Sequence, residues 1–422
     1  MIGGNWRYEN DNGTSSAYRS LHINSARKLM SYRAFPMPED YPDYPSHWQV
    51  AKYFDDYAER FGLGEKIAFN TRVVSVEPVA RGGQRRGRGL DHYGDETSTA
   101  AWEVTVEDAG GKRRTESYRA VIVANGHHWK PRWPEPPFPG AEDFEGEQMH
   151  VHHYREPDVL EGKRVLVLGI GNSAVDVAVE SSRIAGKTFL AMRRGAYVLP
   201  KFLGGTPIDE SAPSIASYLP ISVQRFFFNR MLKTAIGEMT DYGLPKPDHK
   251  LLEAHPTVSS ELLPRLGHGD ITAKPNIDRF AGGRTVRFAD GSEEEIDLVI
   301  YCTGYEIEFP FLDEKVFAAR DNRMPLYRRA VSVENPGLYF IGFIQPLGPI
   351  MPIAEAQAEW MADLLTGKAA LPSASEMRKE IAAYDRWLHK RFVASKRHTI
   401  EVDFHPYLRE IRKERKRTTQ VA

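Results

Sequence analysis

The run RVLVLGIGNSAVDVAVE, residues 164–180, constrains this chain more than any other stretch. An apolar strand leads into Gly169-Ile170-Gly171-Asn172-Ser173-Ala174, and apolar residues at helical spacing follow. The turn fits G-x-G-x-x-G/A. Its first glycine permits the tight turn, the second lets backbone approach a pyrophosphate, and the small Ala174 lets helix pack on strand. A helix that starts there aims free N–H groups and a positive dipole end at phosphate. Glycine turns are common, so the weight of the match comes from the strand before it and the helix after it. The expected cofactor contacts are Gly169, Gly171, Asn172, Ser173, Ala174 and Asp176.

The end of the next strand decides which nucleotide is held. An acid there suits the ribose hydroxyls of NAD, and an arginine suits the 2′-phosphate of NADP. TFLAMRRG (188–195) has no acid and closes on Arg193 and Arg194. Guanidinium pairs well with phosphate, so the pattern reads as NADPH.

This unit sits in the middle of 422 residues, a length that suits about two to three domains. ESYRAVIVANG (116–126) is an apolar run ending at Gly126, with the look of a strand covered on both faces. YCTGY ends a strand at Gly304, and GLYFIG (337–342) ends in glycine again. Strands of this kind on both sides suggest one nucleotide domain inserted into another. VQRFFFNRML (223–232) reads as helix core, with a membrane or substrate face as the less favoured alternative.

Composition removes several classes of function. Lys and Arg number 56 against 57 acids, so no strong field points to nucleic acid. ARGGQRRGRGLDHYGDETST (80–99) lacks interleaved aromatic platforms and reads as a solvated loop between two strands. Cys302 is the only cysteine, which fits a reducing cytosol and rules out a two-cysteine redox centre. The opening MIGGNWRYEN has no signal-peptide pattern, and no apolar run is long enough for a membrane span. A cytoplasmic protein is expected. His150, His152 and His153 invite a metal reading, but no H-E-x-x-H or cysteine partner accompanies them. The basic C-terminal end (409–422) reads as a frayed helix end.

With these residues in view, the chain resembles the flavin-containing monooxygenases across essentially its whole length. FEGEQMHVHHY (144–154) matches F-x-G-x-x-x-H-x-x-x-[FY] through Phe144, Gly146, His150 and Tyr154. IGGNWRY (2–8), SLHINSARKLMSYRAFPMP (20–38), YCTGYEIEFPFL (301–312) and FIGFIQPLGPIMPIAEAQAEW (340–360) are similar to further family segments. The resemblance implies an α/β fold of two dinucleotide-binding, Rossmann-like domains, with the NADPH domain inserted into the FAD domain. The implied division is residues 1–155 and 311–422 for FAD and 156–310 for NADPH. Members of the family open with a strand and a G-x-G-x-x-G turn that hold FAD. This sequence opens at the I-G-G-x-W segment, so about 30 residues of that kind are expected upstream of Met1.

The implied chemistry is reduction of FAD by NADPH. Oxygen then adds to form a C4a-hydroperoxyflavin, which oxygenates a soft nitrogen or sulfur nucleophile. The partners are that small molecule and O2, with a homodimer possible. The resemblance makes Asn24 the catalytic-site residue. It places Gly3, Gly4, Asn5, Trp6, Ser25, Gly126, Gly304, Gln345 and Gln357 at the cofactors. The helix beginning near Ile353 would aim its N-terminus at the flavin. His150 and Tyr154 are expected to join the domains. A Baeyer–Villiger monooxygenase is the nearest rival, but its pattern has Trp at the place of Tyr154 and Pro or Asp at that of Arg155. A non-catalytic NADPH-binding remnant is the reading from another class.

Overall fold

The computed structural model of the chain describes residues 1–79, 101–211, 217–393 and 398–418. The segment 80–99 lies outside the described residues.

The strand Arg164–Leu168 is the centre of a five-stranded sheet. Lys187–Met192 and Leu298–Tyr301 flank it, and Ile271–Pro275 and Glu147–His150 form the edges. Every pair is parallel. The central strand is apolar at almost every position because it feeds two cores. Val165 and Val167 pack with Ala174, Val175 and Ala178 of the helix Asn172–Ile184. Leu166 and Leu168 face the other way, onto Phe189, Val299 and the antiparallel ribbon that contributes Ile277, Phe280 and Phe288. Each such fully buried side chain is worth about 1.5–3 kcal/mol. The edge strand Glu147–His150, which pairs with Leu298–Tyr301, precedes the expected boundary at residue 156.

The surrounding lobe is built from both ends of the chain. Thr71–Pro78, Trp102–Asp108 and Arg113–Tyr118 form an antiparallel sheet. Val121–Val123 runs parallel to Leu338–Phe340. The helices Met351–Leu365 and Phe404–Glu414 share one core, with Trp360, Met361 and Ile411 at its centre.

Two expectations change here. The run 116–126 is not one doubly covered strand. It divides into Arg113–Tyr118, exposed along its length, and Val121–Val123, where Ile122 is 41% exposed. Among the described residues that short strand has a single neighbour, Leu338–Phe340. The three phenylalanines of the helix Ile221–Ile236 do not all reach the core either. Phe228 packs near Leu199 and Leu232, while Phe226 and Phe227 are 65% and 63% exposed. Successive helical residues point about 100° apart, so three in a row cannot share one face.

Candidate functional site

The nucleotide turn is held by close contact. Gly169 has φ +138°, and a Cβ there would stand 2.8 Å from the Cys302 carbonyl oxygen and 3.4 Å from the Ala174 Cβ. Only glycine fits, and only a small residue at Ala174 lets the helix come this near. Gly171 caps the helix, and the first helical N–H groups are turned to the loop end of the strand. Asn172 Oδ1 accepts the Val258 N–H at 2.8 Å, and Thr257 Oγ1 donates to the Ile170 carbonyl at 2.5 Å. The segment 257–258 therefore braces the turn. The side chain of Asn172 is used for that brace, which nothing in its spacing announced.

Arg193 and Arg194 follow the strand Lys187–Met192 directly and are exposed. Arg194 Nε stands 3.4 Å from Asp248 Oδ2. Gly195 lets this corner pack on Pro245, whose carbonyl oxygen would lie 2.2 Å from a Cβ. Both guanidinium groups sit at the end of the strand next to the glycine turn.

Asp176 has a different place from the one expected. Its carboxylate accepts from the Tyr18 hydroxyl at 2.5 Å, between the lobes rather than at the phosphates. Burial raises its pKa from 3.8 to about 6, and the Tyr18 hydrogen bond works against that rise. One helical turn on, Glu180 accepts from Tyr154 at 2.5 Å and from Ser20 at 3.0 Å. Arg155 closes the seam by donating to the Ser15 carbonyl at 2.7 Å.

The F-x-G-x-x-x-H-x-x-x-Y run is thus a junction. Gly146 lies under the Phe144 ring, where a Cβ would come within 2.5 Å. His150 and His152 are buried, and burial lowers both pKa values to about 4, so the rings are neutral near pH 7. Among the described residues no group of three or more His, Cys, Asp or Glu side chains could hold a metal ion.

The second cofactor region is assembled from distant segments. Trp6 and Ile23 pack in one cluster with Met351, the first residue of the helix Met351–Leu365. This brings the I-G-G-x-W segment and Asn24 to the N-terminus of that helix. Gly3 and Gly4 shape the opening turn, where the Trp6 N–H donates to the Gly3 carbonyl at 3.0 Å. Asn5 Oδ1 accepts the Ser16 N–H at 2.7 Å, a local role. Ser25 is half-buried beside Asn24. Asn24 Oδ1 is buried without a partner in the protein. An orphaned amide oxygen is costly unless a bound group donates to it.

Gly126, Gly304 and Gly342 stand just beyond three parallel strands, and nothing lies within 4 Å of a Cβ built on any of them. Ligands of α/β sheets bind in the crevice past such strand ends. Gln345 is half-buried at the start of the short strand Gln345–Leu347. Gln357 is fully buried and its amide is consumed by the fold, accepting the Gly342 N–H at 3.0 Å and donating to Tyr407 at 2.7 Å. It shapes the Gly342 turn.

The orphaned Asn24, the glycine cradle at Gly169 and the open strand ends all fit two extended dinucleotides. Comparison with known proteins agrees. Residues 1–419 match the family model described as flavin-binding monooxygenase-like. The chain belongs to this family. It is 38% identical over 420 residues to flavin-containing monooxygenase 5 of Rattus norvegicus, covering 97% of this chain and 75% of that protein. It is 33% identical over 421 residues to the rat dimethylaniline monooxygenase (N-oxide-forming) 2, with the same coverages of 97% and 75%. Among solved structures, S-allyl-L-cysteine S-oxygenase from Allium sativum aligns with a TM-score of 0.67 at 24% identity, covering 96% of this chain and 75% of that one. An open form of cyclohexanone monooxygenase aligns at 0.66 with 15% identity, covering 97% and 90%. These two likenesses establish the fold alone.

Proposed function

We propose that this flavin-binding monooxygenase oxygenates a soft nitrogen or sulfur nucleophile at the expense of NADPH and O2, in the cytoplasm, as a monomer or homodimer. The observation that carries the reading is the buried, unpartnered Asn24 Oδ1 beside the N-terminus of the helix Met351–Leu365. Relatives named for N-oxide formation support the substrate class.

NADPH would be held by the Gly169–Ala174 turn, its pyrophosphate at the N-terminus of the helix Asn172–Ile184 and its 2′-phosphate by Arg193 and Arg194. FAD would lie against Gly3 to Trp6, Asn24, Ser25 and the open glycines Gly126, Gly304 and Gly342. When bound, FAD supplies the redox chemistry, taking hydride from NADPH and delivering one oxygen atom of O2 to the substrate. The chain supplies position and shelter. The positive end of the helix Met351–Leu365 favours the negative charge of a reduced ring. Asn24 accepts a hydrogen bond and fixes a ring edge. The Tyr18–Asp176 and Tyr154–Glu180 bonds set the angle between lobes, on which contact between the two cofactors depends. Trp6 and its aromatic neighbours keep water from the gap.

Purified protein offered FAD should turn yellow, and NADPH should bleach it under anaerobic conditions. Admission of O2 with an amine or thioether should then yield the N-oxide or S-oxide. A folded preparation that takes up no FAD would contradict the reading.

A further inference from the structure

Asp209 ties the nucleotide lobe to the segment of Asn24 and is left half satisfied there. The Ala26 N–H donates to Asp209 Oδ2 at 2.7 Å, across 183 residues of sequence. Asp209 Oδ1 is buried and has no hydrogen-bond partner among the described residues. Residues 212–216 (APSIA), outside the described residues, include no cationic side chain. Ala26 stands two residues from Asn24, whose Oδ1 is likewise buried and unpartnered. Two buried acceptors therefore stand at one short stretch, Asn24 to Ala26, and each lacks a donor. Burial raises the pKa of the Asp209 carboxyl, and the Ala26 N–H restrains the rise. A further donor would favour its ionised form.

The route to Asp209 starts at the nucleotide turn. Thr257 bonds the Ile170 carbonyl, and Thr257–Val258 runs parallel to Val198–Leu199. Two residues on, the Lys201 N–H donates to Ser260 Oγ at 2.9 Å. The Lys201 carbonyl accepts from the Ile208 N–H at 2.9 Å and from the Tyr44 hydroxyl at 2.5 Å. These bonds close the hairpin of Phe202–Leu203 and Thr206–Pro207, and Asp209 follows it directly. The stretch 198–209 thus leads from the turn that would hold the pyrophosphate to the segment that would lie against the flavin. Hydride transfer requires the nicotinamide to reach the flavin, so the nicotinamide half of the dinucleotide runs beside this stretch.

We propose that Asp209 accepts a hydrogen bond from the carboxamide NH2 of the nicotinamide and so sets that ring against the flavin. The inference rests on the NADPH reading above and deepens it. A carboxamide offers two N–H donors, the kind of group that a buried orphan acceptor lacks. A bond to an ionised acceptor is stronger than one between neutral groups. Asn24 takes the flavin edge and Asp209 the nicotinamide. The Ala26 N–H holds both acceptors to one piece of backbone, so the two rings share a common reference. Asp209 binds and orients; it exchanges no proton and no electron.

The test compares NADP+ with its 3-acetylpyridine analogue, in which a methyl group replaces the carboxamide NH2. Dissociation constants are read by calorimetric titration of the FAD-loaded protein, without turnover. The unaltered protein should hold NADP+ about tenfold or more tighter than the analogue. In Asp209→Ala the two should bind within about twofold of each other, the loss falling on NADP+. Asp209→Asn keeps an oxygen for the Ala26 N–H and loses only the charge, so its ratio should lie between those two values. Equal affinities in the unaltered protein overturn the proposal, as does an unchanged ratio in whichever of the variants folds. Weaker binding of N,N-dimethylbenzylamine with the nucleotide ratio unchanged also overturns it, and assigns Asp209 to the substrate. If the protein takes up no FAD, the monooxygenase reading has failed, and the same titration without FAD still decides the contact. If NADP+ itself does not bind, the NADPH reading and the proposal fall together.

Discussion

Tyr18 and Asp176 stand 158 residues apart in sequence, and the Tyr18 hydroxyl donates to the Asp176 carboxylate at 2.5 Å. One residue comes from the outer lobe and the other from the nucleotide helix. Tyr18→Phe leaves Asp176 without its donor and should destabilise the protein by about 1–3 kcal/mol. The KM for NADPH should rise with it, because the helix that carries the phosphate site loses a tether. Thermal unfolding and steady-state kinetics check both effects.

The same carboxylate gives stability a pH dependence. Burial raises the Asp176 pKa from 3.8 to about 6 in the folded protein. Between these values the folded state keeps a proton that the unfolded state has released. Its contribution is therefore fully present below about pH 4 and is lost as pH rises through about 6. Asp176→Asn should abolish this decline and gain on the unaltered protein above pH 6, by an amount on the order of 1–3 kcal/mol. Unfolding midpoints measured from pH 4 to about 8 would show parallel curves if Asp176 titrates normally.

Gly169→Ala forces a Cβ to 2.8 Å from the Cys302 carbonyl at φ +138°. Either the turn moves or the strand ending at Tyr301 does. Backbone strain of this kind costs about 1–3 kcal/mol. Fluorescence titration should show NADPH binding lost, while FAD content stays at the level of the unaltered protein.

Arg193→Ala combined with Arg194→Ala should raise the KM for NADPH by about tenfold or more and leave that for NADH nearly unchanged. Equal losses for the two nucleotides would falsify the assignment of the 2′-phosphate to this strand end.

Tyr154→Phe takes the phenolic donor from Glu180, leaving Ser20 at 3.0 Å. The expected cost is about 1 kcal/mol, read as a lower thermal midpoint, together with slower flavin reduction by NADPH because a tether between the lobes is lost.

Legibility in the sequence followed locality. The turn at 169–174 and its strand and helix were readable because each requirement, a glycine, a small residue, an apolar period, falls on neighbouring residues. The Phe226–Phe228 run misled because a run of one residue type hides the 100° step of the helix. Gln357 misled in another way. Its glutamine matched a family element, but only the folded chain brings Gly342 and Tyr407 to the two ends of its amide. Thr257 and Glu180 carried no local signal at all.

The sequence by itself determined where a strand must meet a helix across a glycine turn, that arginines rather than an acid close the next strand, and to which family the chain belongs. These are properties of short windows, fixed by sterics and periodicity. The tertiary structure alone decided that Asp176 serves Tyr18 and that Glu147–His150 pairs at the edge of the five-stranded sheet. Such pairings join residues far apart along the chain. They arise only when burial brings polar groups together and removes the water that would otherwise satisfy them.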